Sequence, residues 1–233
     1  MCVDGKSTYL KVIPLNHLLP LLLIYIVEDS MIPFSLDLKT IKAVIFDLDN
    51  TLVTSNINFS QIRQQLGCPQ DIDLLSYIET LNANEKAHAN NIVFEHELSD
   101  AESSFPMTGC HELLRFLQAN EIKTAIITRN CLAATHKKLS HNQISVERVI
   151  TRECFPPKPN PSSLESLAKD WGLMSDEILY VGDYFYDLQA AYNAKMPSCL
   201  VHHGEALAFS HAASLALNEL SDLLFQFQSL KKN

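Results

Sequence analysis

The segment Ile41-Lys-Ala-Val-Ile-Phe-Asp-Leu-Asp-Asn-Thr51 joins a short apolar run, Ala43 to Phe46, to a polar turn. An unbroken apolar run of this length is typical of a strand buried on both faces, as in the parallel sheet of an α/β protein. Ligands of such sheets lie beyond the carboxyl ends of the strands, which is where Asp47 and Asp49 stand. The segment therefore predicts a first strand with two carboxylates at its functional end.

Further apolar runs predict the other strands of this sheet. The four runs are Thr124 to Ile127, Arg148 to Ile150, Ile178 to Val181 and Cys199 to Val201. Helical spacing and helix-entry residues predict helices at Gly109 to Leu117, Pro161 to Trp171, Tyr186 to Ala194 and Leu217 to Phe227. Short strands that alternate with helices predict an α/β fold, a Rossmann-like parallel sheet with helices on both faces.

The interval between Ser55 and Phe105 interrupts this alternation. It contains no strand-like run, and its spacing predicts helices near Ser60 to Leu66, Ile72 to Leu81 and Asn84 to Leu98. The Pro and Gly of the following segment, 105–109, indicate a hinge that returns to the sheet. We therefore expect a small α-helical cap, residues 55–105, inserted after the first strand into an α/β core of residues 31–54 and 106–233.

Residues 1–30 match neither the core nor the cap. Their most apolar run, Leu18 to Val27, has ten residues, whereas a helix needs about 20 to span a bilayer. No small-residue cleavage site follows it, so a signal peptide is not favoured. We expect an N-terminal extension outside the fold, in front of a start at Met31, without stable membrane insertion.

Composition restricts the classes of partner. The 233 residues, 47% of them hydrophobic, suffice for one main domain with a small insertion. The net charge of -9 repels phosphate backbones and anionic lipid, so we expect no nucleic-acid partner. The six cysteines are scattered without a CxxC pair, which favours free thiols in the cytosol. No oligomeric state follows from the sequence.

Polar side chains also stand where the later strands end. Thr128 and Asn130 follow the second predicted strand, Lys158 lies in the loop after the third, and Asp183 and Asp187 follow the fourth. Because the carboxyl ends of parallel strands meet at one edge, we expect these residues to gather beside the two carboxylates of the first strand.

The resulting cluster of four carboxylates, Asp47, Asp49, Asp183 and Asp187, requires a positive partner. Two like charges about 4 Å apart cost on the order of 4 kcal/mol at an effective dielectric constant of about 20. A site made of oxygen ligands is the kind that Mg²⁺ prefers. The sequence therefore predicts a magnesium site at this edge.

Four of these features together resemble the motifs of the haloacid dehalogenase superfamily. They are Asp47-x-Asp49-x-Thr51, Thr128, Lys158 and Asp183, and the resemblance covers nearly all of Ile41 to Leu230. The helical insertion is similar to the cap of the phosphoglycolate phosphatase-like group. The resemblance implies a magnesium-dependent phosphatase that hydrolyses a small phosphorylated metabolite, of phosphoglycolate or sugar phosphate type, through an aspartyl-phosphate intermediate.

The resemblance also implies a role for each motif residue. Asp47 is the nucleophile, and Asp49 protonates the leaving alcohol and later takes a proton from water. The hydroxyl of Thr128 and the ammonium of Lys158 hold phosphate oxygens. The implied metal ligands are Asp47, the backbone carbonyl of Asp49, and Asp183. Thr51 supports the turn.

Several alternatives stay open for single residues. Asn130 orients either Asp47 or the phosphate. Asp187 is a further metal ligand, an outer partner of the ligands, or a charge that complements a helix dipole. Thr128 taken alone is also a candidate helix cap, and Lys158 a candidate solvated loop lysine.

Two other functions compete with the phosphatase. A phosphomutase of the same superfamily would return the phosphate to another hydroxyl group. A non-catalytic interaction protein would retain only the fold, but the complete motif set argues against it. The residues after Asp183, Tyr184 to Tyr186, replace the small hydroxyl residue that often follows there in the superfamily, which leaves the exact metal ligation open.

Overall fold

The computed structural model describes residues 31–231. The predicted N-terminal extension, residues 1–30, lies outside the described residues and stays a prediction. Within residues 31–231, no helix combines the length and the apolar character that crossing a membrane requires. Met31, the first described residue, is buried against Phe185, Leu188 and Leu200.

Six parallel strands form the central sheet, in the order β3-β2-β1-β4-β5-β6. Their bounds are β1 Ala43–Phe46, β2 Lys123–Ile127, β3 Arg148–Ile150, β4 Ile178–Gly182, β5 Ser198–Val201 and β6 Leu215–Leu217. The chain leaves β1 in one direction and returns to its other side at β4. The crevice of this sheet therefore lies between the carboxyl ends of β1 and β4.

Eight α-helices accompany the sheet in the part of the chain described. They are α1 Phe59–Leu66, α2 Leu74–Thr80, α3 Ala83–Ser103, α4 Cys110–Ala119, α5 Leu132–His141, α6 Ser162–Trp171, α7 Phe185–Asn193 and α8 Leu220–Leu230. Two short 3-10 helices span Ser175–Glu177 and Ala208–Ala212. The predicted fold class, a Rossmann-like parallel sheet with a helical insertion after the first strand, is confirmed.

The last predicted helix was placed too early in the chain. Leu217 ends β6, and α8 begins only at Leu220. The strand β6 was not predicted, no bounds were predicted for α5, and α3 continues to Ser103 rather than ending at Leu98.

The unbroken apolar run of β1 is explained by helices on both faces of the sheet. Alternate residues of a strand point to opposite faces. Val44 and Phe46 pack in the cluster that includes residues of α4, α5 and α8, whereas Ala43 and Ile45 pack with residues of α6 and α7. All four side chains are fully buried, which fixes the position of the turn that follows them.

Three helices of the insertion, α1 to α3, are here called the cap helices. They share a small apolar cluster of their own, built on Ile62, Ile78 and Val93. The two connections to the sheet run side by side, since the backbone N–H of Thr54 donates to the carbonyl oxygen of Phe105 at 2.8 Å. These contacts hold the cap helices above the carboxyl edge of the sheet. The division of the chain at residues 55–105 stays a proposal.

Candidate active site

All seven predicted site residues line one cavity. Its volume is about 550 Å³, and it lies between the carboxyl edge of the sheet and the cap helices. The residues are Asp47, Asp49, Thr128, Asn130, Lys158, Asp183 and Asp187. Side chains of the cap helices, including Phe59 and Arg63 of α1, form the opposite wall.

Three carboxylates meet at the crevice between β1 and β4. Asp47, Asp183 and Asp187 each offer an oxygen, and these oxygens all lie within 4.8 Å of one another. The buried ammonium of Lys158 lies among them and donates to Oδ1 of Asp47 at 2.5 Å and to Oδ1 of Asp187 at 2.6 Å. Lys158 is therefore not a solvated loop lysine.

The cluster contains more acidic groups than basic ones. Burial raises the pKa of Asp183 to about 8, and the neighbouring charges of Asp47 and Asp187 add to the shift. Burial likewise raises the pKa of Asp47 to about 7, against the lowering effect of Lys158. For Lys158, burial lowers the pKa, but the carboxylates of Asp187 and Asp47 outweigh it and hold the pKa well above its usual value. One cation thus faces three acids.

The donor set fits Mg²⁺. All the offered atoms are carboxylate oxygens, which are hard ligands, and a cation among them would relieve the repulsion that adds to the effect of burial on the pKa values of Asp47 and Asp183. Asp47 and Asp183 remain the first candidate ligands of the cluster, and a metal-binding role of Asp187, which lines the same cavity, stays a prediction.

Asp187 has both oxygens engaged. Oδ1 accepts from Lys158 and, at 3.1 Å, from the hydroxyl of Tyr180, while Oδ2 accepts from the backbone N–H of Tyr184 at 3.1 Å. Asp187 therefore both caps the start of α7 and orients Lys158. The side chain of Asp187 can lie this close to β4 only because position 182 is a glycine, since a Cβ there would lie 2.4 Å from Cγ of Asp187.

Asp49 is not one of the three clustered acids. Its Oδ2 accepts from the side-chain amide of Asn130 at 2.8 Å, and its Oδ1 contacts the ammonium of Lys138. Burial raises the pKa of Asp49, while the charge of Lys138 lowers it. Asn130 thus orients Asp49 rather than Asp47.

The hydroxyl of Thr128 does not cap α5, and the hydroxyl of Thr51 does not hold the turn by a hydrogen bond. The hydroxyl of Thr128 accepts from the backbone N–H of Asn130 at 3.1 Å, and α5 is capped instead by Cys131, whose Sγ accepts from the N–H of Ala134. The hydroxyl of Thr51 has no hydrogen-bond partner among residues 31–231, although it is fully buried. The turn is held by its backbone, as in the bond from the N–H of Asn50 to the carbonyl oxygen of Val53 at 2.7 Å.

Ion pairs connect the cap helices to the core around the cavity. Three acids of α3 pair with core cations: Glu97 with Arg152, Asp100 with Lys138, and Glu102 with Lys137. On the other side of the cavity, Asp73 at the start of α2 pairs with Arg129 at 2.5 Å. The guanidinium of Arg129 also lies 5.0 Å from the ring centroid of Tyr186.

These pairing residues were missed in the sequence. One signal was present, since Lys138 falls in the buried stripe of α5 with Ala134, Thr135 and Leu139. A charged residue within the apolar stripe of an amphipathic helix indicates a buried partner. The sequence near Lys138 does not indicate which residue is the partner, since Asp49 lies 89 residues away in the chain.

Comparison with known proteins places the chain among hydrolases. Residues 54–201 match the family described as haloacid dehalogenase-like hydrolase. An uncharacterized hydrolase of Saccharomyces cerevisiae is 30% identical over 206 residues, which are 84% of this chain and 94% of that protein. A haloacid dehalogenase-like hydrolase domain-containing protein of Arabidopsis thaliana is 30% identical over 170 residues, 68% of this chain and 69% of the relative.

A solved structure shares the fold. The crystal structure of a predicted phosphoglycolate phosphatase from Haemophilus somnus superposes with a TM-score of 0.65 at 19% identity, covering 82% of this chain and 99% of that one. At this identity the likeness concerns the fold alone.

Proposed function

The chain belongs to the haloacid dehalogenase-like hydrolase family, and from that membership we propose that it is a magnesium-dependent phosphatase of small phosphorylated metabolites. One observation carries the proposal: the carboxylate of Asp47 lies against the ammonium of Lys158, in a cluster with Asp183 and Asp187, at the base of a cavity of about 550 Å³. This arrangement supports Asp47 as the nucleophile, Lys158 as the cation that binds phosphate, and Asp47 with Asp183 as metal ligands.

In the proposed reaction, a carboxylate oxygen of Asp47 attacks phosphorus and forms an aspartyl-phosphate, which water then hydrolyses. Lys158 and the hydroxyl of Thr128 bind the phosphate oxygens as their charge redistributes. Asp47 and Asp183, with the backbone carbonyl of Asp49, would hold Mg²⁺, which supplies positive charge to the phosphate when bound.

Proton transfer is assigned to Asp49. Its carboxyl group protonates the leaving alcohol in the first step and accepts a proton from water in the second. The raised pKa of Asp49 favours the protonated form that the first step needs. Asn130 holds the carboxylate toward the cavity.

The proposed substrate class is supported by the size of the cavity and by a structural relative. A cavity of about 550 Å³ suits a small metabolite rather than a macromolecule. The Haemophilus somnus protein is described as a predicted phosphoglycolate phosphatase, so phosphoglycolate and sugar phosphates are the first candidates. We place the enzyme in the cytosol, as its scattered cysteines suggest, and expect no nucleic-acid partner.

A panel of phosphate esters tests this function. Purified wild type should release free phosphate from at least one small ester with Mg²⁺ present and lose that activity on chelation. Asp47→Asn should be inactive on every ester and carry no phosphate by mass spectrometry after rapid quench. Asp49→Asn should accumulate phosphorylated protein with an activated aryl ester, because water attack then lacks its base.

Three results would contradict the proposal. These are full activity after rigorous metal removal, phosphate release by Asp47→Asn at the rate of wild type, and an isomerised sugar phosphate in place of free phosphate. The last result would instead indicate the phosphomutase.

A further inference from the structure

A buried lysine outside the motifs lies directly beside Asp49. The side chain of Lys138 has 0% exposed surface, and its ammonium contacts Oδ1 of Asp49 and lies 2.6 Å from Oδ2 of Asp100. Burying an ammonium group is costly, and a well-packed apolar residue often stabilises a fold as well as a buried ion pair does. Stability alone is therefore a weak reason for a lysine at this position.

The contacts of Lys138 complete the orientation of Asp49. The other oxygen of Asp49 accepts from Asn130 at 2.8 Å, so both oxygens are held while the side chain still lines the cavity. A carboxylate held at both oxygens cannot rotate away from the leaving group. Such orientation matters, because a displacement of about 1 Å can cost about 10²-fold in rate.

The second contact of Lys138 joins this carboxylate to the cap helices. Asp100 belongs to α3, and besides Lys138 it accepts from the hydroxyl of Ser55 at 2.8 Å and from the backbone N–H of Asn56 at 2.6 Å. Ser55 and Asn56 lie on the connection that leads from the first turn to the cap helices. One ammonium therefore links the acid, the connection and α3.

We propose that Lys138 is a positioning residue. It holds Asp49 in the orientation for proton transfer and, through Asp100, connects that carboxylate to α3. The proposal rests on the proposed function, in which Asp49 acts as acid and base. It assigns a role in the reaction to a residue outside the motif set of the sequence.

Leaving-group dependence separates this role from a purely structural one. An alkyl ester needs a proton at its leaving oxygen, whereas para-nitrophenyl phosphate needs little. Lys138→Met should lower kcat on the best alkyl ester of the panel by roughly 10- to 100-fold with KM changed less than about threefold, and should lower kcat on para-nitrophenyl phosphate much less.

Two further variants secure the interpretation. Lys138→Met leaves Asp100 buried without its cation, so the double variant Asp100→Asn/Lys138→Met serves if the single one does not fold. Lys137→Met is the matched control, because Lys137 is the next residue of the same helix but pairs with the exposed Glu102. It should match wild type on both esters.

The outcomes distinguish the two ideas. Equal slowing on both esters, or wild-type kcat on the alkyl ester, in a folded Lys138 variant overturns the positioning role and leaves the phosphatase intact. Wild-type protein that releases no more phosphate than Asp47→Asn overturns the proposed function, and the positioning role falls with it.

Discussion

Replacing Arg152 by Met should destabilise the protein strongly, because it leaves the carboxylate of Glu97 buried without its cation. The side chains of Arg152 and Glu97 are 14% and 6% exposed, and the second oxygen of Glu97 accepts from the backbone N–H of Cys131 at 3.0 Å. Breaking a buried ion pair by removing one partner costs about 3–5 kcal/mol. We expect about 3 kcal/mol, the lower end, since burial already raises the pKa of Glu97 and the unpaired acid can take up a proton.

For a chain of this size, 1 kcal/mol shifts Tm by about 2–4 °C, so Arg152→Met should lower Tm by about 6–12 °C. The measurement is thermal unfolding followed by circular dichroism at pH 7. The double variant Glu97→Gln/Arg152→Met removes the unpaired charge and should regain most of the loss.

The exposed pair on the same helix provides the control. Lys137 and Glu102 are 40% and 67% exposed in their side chains, and exposed pairs contribute little to stability. Lys137→Met should therefore leave Tm nearly unchanged. The reasoning fails if Arg152→Met melts within about 2 °C of wild type, or if the double variant is no more stable than the single one.

Two further predictions concern the carboxylate cluster. Because the pKa of Asp183 rises from 3.8 to about 8 on folding, the metal-free protein should lose stability as pH rises from about 4 to about 8. Mg²⁺ favours the ionised acids, so its increase of Tm should be larger at pH 8.5 than at pH 6, and an equal increase at both would contradict the site. Gly182→Ala should lower kcat/KM by about 10²-fold, because the Cβ of the alanine would displace the side chain of Asp187. Activity within twofold of wild type would show that the displacement is tolerated.

Four of the five strands that were predicted, β1, β2, β4 and β5, are buried along most or all of their length. β1 and β4 are buried along their whole length, and each can be recognised from its own unbroken apolar run, without knowledge of the neighbouring strands. The edge strands β3 and β6 have three residues each and are largely uncovered, and of these two only β3 was predicted. The bounds of α5 could not be predicted, because a buried lysine and several polar residues weaken its apolar stripe.

The candidate site divides in the same way. Asp47 and Asp183 could be predicted because each follows a buried strand, and the sheet topology brings strand ends together. The orientation of Asp49 could not be predicted, since it depends on Lys138 and Asn130, which lie 89 and 81 residues further along the chain. Local pattern predicts which backbone ends meet, while contacts between distant side chains follow only from packing.

The uneven attachment of the cap helices bears on how molecules enter and leave the cavity. The helix α3 is fixed to the core by three ion pairs, two of them largely buried. Among the described residues, α1 and α2 have only one ion pair to the core, that between Asp73 and Arg129, with side chains 24% and 22% exposed. A partly exposed pair of this kind is weak and is screened by salt. We therefore expect α1 and α2 to separate from the core more easily than α3, and we expect an anion that enters past Asp73 to compete with its carboxylate for the guanidinium of Arg129.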